Sequence, residues 1–166
     1  MSTTNTILDD ELKHQRQLVR HIQNVQNSCI LLAEKLAEDE GNKRMARHLI
    51  ANAMIHDNSK FFGIEWKYLR EEIKKNGSSH LFEAAVQSHQ ENNMHHPEFW
   101  GGIHNMPDIY LAELVCDIKA RSDEFGTDIR NWVKEVASKK YGFSLQSKTY
   151  RKIKHFLDLL LDSAYS

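Results

Sequence analysis

From Leu18 onward the apolar residues Leu18, Ile22, Val25, Cys29, Leu32, Ala33 and Leu36 recur every three or four positions. That is the period of an α-helix and not of a strand. The same spacing returns in Ala46, Leu49, Ile50 and Ala53, in Tyr110, Leu111, Leu114 and Ile118, and in Ile153, Phe156, Leu157, Leu160, Leu161 and Ala164. No alternating strand pattern, internal repeat, low-complexity tract or linker interrupts it. The chain therefore reads as all-α, a single domain over residues 1–166 built as a bundle of about six to seven helices, its last helix (146–164) packing on the rest. A length of 166 residues suits one domain with a proper core.

Punctuation residues set the expected boundaries. Gly41 is expected to end the first helix in a left-handed conformation, and Asn42 to cap a second helix over 43–57. Helices follow over 65–75 and, after an Asn76-Gly77 turn capped by serines, up to His89. The stretch "ENNMHHPEFWGGIHNM" has no apolar period and reads as a loop. Pro107 should open the next helix at its first position, and Thr127-Asp128 a short one after it.

Charge and composition exclude several classes. Lys plus Arg number 22 against 23 Asp plus Glu, a formal charge of -1, so no global field exists to hold a long nucleic acid. The first residues lack a basic and apolar leader pattern, and no run approaches the roughly 18 apolar residues of a membrane span. The two cysteines, Cys29 and Cys116, sit inside helical patterns without CxxC spacing. A reducing, cytoplasmic setting is the expectation.

Histidine is the outlier, with ten in the chain, and His56, His80, His89, His95, His96 and His104 fall within one short region. His21 shares a helical face with His14, Leu18 and Val25. His56 and Asp57 follow Leu49 and Ile50 by seven, His89 follows Phe82 and Ala85 by seven and four, and Asp117 follows Leu114 and Tyr110 by three and seven. A lone histidine on such a face is more often a hydrogen-bonded core residue than a ligand, and Asp117 could equally pair with Arg121 one turn later. His48, His80, His104 and His155 read as structural or surface residues. Donors from four separate helices converging on one interior, however, need a common partner, because ionised groups are costly to bury unpaired. A divalent cation meets that need, and imidazole with carboxylate points to zinc, iron or manganese more than to magnesium alone.

His21, His56-Asp57 and Asp117 resemble the H…HD…D pattern of the HD-domain superfamily, all-helical metal-dependent phosphohydrolases of nucleotides and other phosphate esters. "HDNSK" resembles the HD-x-x-K form in which the lysine lies near the substrate phosphate. More narrowly, "SHQENNMHHPEFW" and "MPDIYLAELVCDIKARSDEFGT" are similar to a small uncharacterised HD-like branch frequent in phage and bacterial genomes, with Ser88-His89 standing where relatives often carry a doubled histidine. The resemblance covers about residues 16–126. It implies one or two divalent ions (Fe, Mn, Zn or Mg) held by His21, His56, Asp57 and Asp117, with His89 and then His95 or His96 serving a second ion and Asp57 bridging. It implies catalytic roles for Asp57 and Lys60 and binding of substrate phosphate by Lys60, and Arg121, one turn after Asp117, is placed to neutralise the same phosphate. The implied partner is a small phosphorylated molecule, a nucleotide by preference, with no long nucleic acid and no membrane, and with the host cytoplasm as the setting for a phage-encoded member.

Glu91 or a spare histidine is a candidate proton donor to the leaving oxygen, and Phe61, Phe62, Trp66 and Trp100 are candidates to stack on a base. The same donor set also resembles the HD-fold di-iron oxygenases, and a non-catalytic phage-type binding protein is the third reading.

Overall fold

The computed structural model describes residues 3–70, 73, 77 and 79–162. Among them there are only helices and turns. A long helix, α1 (Thr3–Ala37), is followed by α2 (Lys43–Ile55), α3 (Gly63–Tyr68), α4 (Ser79–Asn92) and α5 (Asp108–Phe125). Next comes α6, which starts as Ile129–Trp132, passes through a π-helical stretch at Val133–Ala137 and ends as Ser138–Tyr141; α7 (Lys148–Asp162) closes the bundle. Among the described residues the architecture is an all-α bundle of seven helices.

The apolar stripe of α1 explains its place. Val25, Cys29, Leu32, Ala33 and Leu36 are all buried, so one face of a rod about 50 Å long is committed to the core. α2, α5 and α7 pack against that face. α5 is the central helix: Leu111, Ala112, Leu114, Val115, Cys116, Ile118 and Ala120 are buried on several sides, as expected of a helix with neighbours all around it. α7 closes the bundle through Ile153, Phe156, Leu157 and Leu160, while Leu161 is only partly buried and Ala164 lies outside the described residues. Ser147 caps α7 by accepting a hydrogen bond from the Tyr150 amide (3.0 Å). No described helix is long and apolar enough to cross a membrane.

Several boundaries differ from the sequence expectation. Gly41 is not left-handed: the chain leaves α1 through a 3₁₀ turn at Glu40–Asn42, where the Asp39 carboxylate accepts from the Gly41 amide and the Asn42 side chain. Asn42 makes no cap of its own. α2 stops at Ile55, and Ile50 lies on its outer face, 42% exposed. Of the helix expected over 65–75, α3 is observed as Gly63–Tyr68 and Ile73 is helical, while residues 71, 72, 74 and 75 lie outside the described residues; the expected turn keeps Gly77 at φ 80°, with Asn76 and Ser78 also outside them. Pro107 caps α5 from one position earlier than expected. The expected loop is tightly wound, with 3₁₀ turns at Pro97–Trp100 and Ile103–Asn105 that bury Ile103.

Candidate metal centre

The His-Asp pair reaches the interior by breaking its helix, not by continuing it. After Ile55 the backbone turns extended at His56 (ψ 131°) and then left-handed at Asp57 (φ 58°, ψ 13°), the only described residue other than glycine with positive φ. Aspartate tolerates that region better than most residues, yet such a conformation persists only where its surroundings hold it. Here they do: His56 and Asp57 are 2% and 1% exposed.

Four of the gathered histidines point Nε2 at a carboxylate of the cluster. His21, from the inward face of α1, places Nε2 3.1 Å from Asp117 Oδ1 and 3.6 Å from Asp57 Oδ2. His56 Nε2 lies 3.6 Å from the same Oδ2. On the other side, His89 at the end of α4 and His95 from the following turn bring Nε2 to 3.2 and 3.4 Å from Asp57 Oδ1. The ring of His96 packs 4.7 Å from His89 and 4.3 Å from His95. Donor atoms fall within 4.8 Å of one another in three sets: His21, His56 and Asp57; His56, His95 and Asp117; and His89, His95 and His96. The structure thus brings together all seven residues that the sequence proposes as ligands.

The opposite ring nitrogens are held from behind. Glu124 Oε1 is 3.0 Å from His21 Nδ1, Glu113 Oε1 is 3.0 Å from His56 Nδ1, and Glu65 Oε2 is 2.8 Å from His89 Nδ1. Glu113 also lies 3.6 Å from His95 Nδ1. Each carboxylate is itself fixed: Asn24 donates to Glu124, Asn52 to Glu113 and the Ser59 hydroxyl to Glu65. A carboxylate on Nδ1 selects the tautomer whose lone pair lies on Nε2, the arrangement that supports metal-ligating histidines.

Among the described residues, the buried side-chain nitrogen and oxygen atoms without a hydrogen bond are Nε2 of His21, His56, His89 and His95, both ring nitrogens of His96, and Oδ1 of Asp57 and Asp117. Buried polar atoms are nearly always paired, and each orphan costs about 1–3 kcal/mol. Here all of them belong to one cluster of imidazole nitrogens and carboxylate oxygens. The residues fit a cation, and the cluster can bind a metal.

The charges of the cluster hold its two aspartates ionised. Burial pushes the Asp57 carboxyl up, but Lys60, His56 and the close imidazoles of His89 and His95 outweigh it and hold the group well below the usual carboxylate range. Burial likewise raises Asp117, and the imidazoles of His21, whose Nε2 is 3.1 Å away, and His56 overcome it, leaving the carboxyl well below its usual value. Burial lowers His56, but Asp57, Glu113 and Asp117 carry it above its ordinary value. His96 is pushed down to about 2 by burial and by His95 and His89, so its ring is neutral and keeps a lone pair.

The remaining candidates divide. Lys60 Nζ sits 2.5 Å from Asp57 Oδ2, on the metal cluster itself. Arg121 pairs with Glu124 (3.2 Å) and not with Asp117; its place is at the surface behind His21, because Glu124 is the nearer carboxylate on that turn. Glu91 is exposed and bonded to Gln87. Phe61 stacks on Trp66, Trp100 donates to the Met94 carbonyl, and Phe62 is exposed. His104 bonds Thr149 and the Gly142 carbonyl, a structural role.

Glu65, Glu113 and Glu124 were not singled out in the sequence. For two of them a signal exists: Glu113, Asp117 and Glu124 share one face of α5 at spacings of four and seven, and Asn52 precedes His56 by four. Glu65 carries no such signal, since its contact with His89 depends on how α3 meets α4.

The family match runs over residues 10–159, across every donor of this cluster. The chain belongs to the family of unknown function DUF5662. No curated protein and no solved structure matches it.

Proposed function

We propose that this protein is a metal-dependent phosphohydrolase of the HD-domain type, acting on a nucleotide or another small phosphate ester. One observation carries the reading: the two oxygens of Asp57 face different histidine sets, Oδ2 toward His21 and His56 and Oδ1 toward His89 and His95. A carboxylate placed this way suits two neighbouring cations. His21, His56, Asp117 and Oδ2 would hold one, and Oδ1 with the His89 group the other. Divalent ions at such a centre acidify water and neutralise phosphoryl oxygens.

The chain's own residues supply the rest. Glu124, Glu113 and Glu65 fix the tautomer that presents Nε2 to a cation and hold the rings in orientation. Lys60, three residues beyond Asp57, carries a positive charge at the rim of the cluster, 14% exposed at its side chain, suited to a substrate phosphate oxygen.

The test is metal analysis of protein purified without added metal, followed by assays of phosphate release from nucleotides and simple phosphate esters with manganese, iron, cobalt or zinc. Metal-dependent release that chelator abolishes is the expected result. Stoichiometric iron with oxygen consumption and no phosphate release would assign the same donors to an HD-fold oxygenase. Protein that binds no metal would refute both enzymes and leave a binding protein.

A further inference from the structure

The two halves of the cluster are chemically unequal. Around Asp57 Oδ2 the donors are two imidazoles, His21 and His56, and a second carboxylate, Asp117, which lies 3.1 Å from His21 Nε2. Around Oδ1 they are two imidazoles, His89 and His95, which form with His96 a set whose donor atoms lie within 4.8 Å of one another, His95 also sharing a set with His56 and Asp117. His96 differs from every other histidine here: no carboxylate backs it, and both of its nitrogens are buried without a hydrogen bond. Neither nitrogen is engaged in holding the fold, so the ring is committed to whatever the His89 group binds.

Donor type decides which ions each half can hold. Magnesium prefers oxygen donors and gives up its water reluctantly, so a group of three imidazoles, two of them facing one carboxylate oxygen, is a poor host for it. Iron, cobalt, nickel and zinc accept imidazole readily, with affinity rising along the first-row series. The half with two carboxylates places no such restriction.

Resting on the metal reading above, we infer that the centre is selective in only one half: the His21–His56–Asp117 half accepts magnesium or manganese as well as later transition ions, whereas the His89–His95–His96 half loads only an imidazole-preferring ion, and His96 is the donor that fixes this preference. The centre then fills in order. The half richer in carboxylate takes the first ion, and the second enters only when iron, cobalt, nickel or zinc is present. Magnesium-loaded protein is half-filled, and its activity, if the second ion is required, is low whatever the magnesium concentration.

The experiment uses the full chain stripped of metal and titrated by calorimetry with magnesium chloride and, separately, with cobalt chloride. Bound cobalt is counted by elemental analysis and followed through its visible absorption. Magnesium is expected to bind at no more than one ion per chain, and cobalt at two. His96→Asn should weaken the second cobalt by about tenfold or more while leaving the first within about twofold. Two magnesium ions per chain, a single cobalt in the unmodified protein, or an unchanged second cobalt in His96→Asn would each overturn the inference. The magnesium and cobalt comparison on unmodified protein stands even if the variant does not fold. Absence of any bound cobalt in the unmodified protein overturns the metal reading itself, an outcome distinct from a failure of selectivity.

Discussion

Glu113→Gln separates support of the metal centre from support of the fold. Glu113 is 4% exposed and serves two ligands, with Oε1 3.0 Å from His56 Nδ1 and 3.6 Å from His95 Nδ1, while Oε2 accepts from Asn52 at 3.1 Å. The glutamine has the same shape but no charge, and its amide group must face either Asn52 or His56, both of which donate. Loss of such a supporting carboxylate lowers metal affinity about 10–100-fold, or about 1.4–2.7 kcal/mol. The metal-free protein should suffer less. The glutamine oxygen can still accept from either Asn52 or His56 there, so part of the hydrogen bonding survives. Calorimetric titration with cobalt or zinc, beside thermal unfolding of the chelated protein, reads both quantities from one preparation. Unchanged metal affinity with a large loss of metal-free stability would show Glu113 to be a packing residue and refute the reasoning.

Other perturbations have equally definite outcomes. His56→Ala combined with Asp57→Ala should abolish stoichiometric metal by elemental analysis, and full metal content in that variant overturns the site. Lys60→Ala should keep its metal, since the ammonium competes with a cation for Asp57 Oδ2, and should lower kcat/KM for an anionic substrate; loss of metal would show that Lys60 was misassigned. Leu49→Ala, at a fully buried position of α2, should cost about 2–5 kcal/mol in urea unfolding, because the cavity cannot fully collapse. Burial raises the Asp158 carboxyl, but its bonds to Lys154 and Arg130 outweigh this and leave it below its usual value. The folded pKa lies below the unfolded one, so its stabilising contribution is present above about pH 3.9 and fades as pH falls through the folded value. In Arg130→Ala, NMR titration should move that pKa upward, and an unmoved value would show the ion pair to be idle.

The all-α class and the core faces of α1, α5 and α7 were legible in the sequence, because burial of a stripe imposes a period that any neighbour must respect. His21, Asp117 and their face-sharing partners Glu113 and Glu124 follow from the same period. Asp57 does not. Counting by seven from Ile50 points it inward, yet Ile50 is exposed and the helix ends before His56; a left-handed residue, held by Lys60 and the histidines, turns the carboxylate into the bundle. Glu65 behind His89, and the return of His95 and His96 to the cluster, likewise depend on contacts between segments far apart in the chain. Local spacing records which side of a helix is buried. It carries no record of which buried lone pairs end up facing each other, and that was decided only when α1, α2, α4 and α5 closed around Asp57.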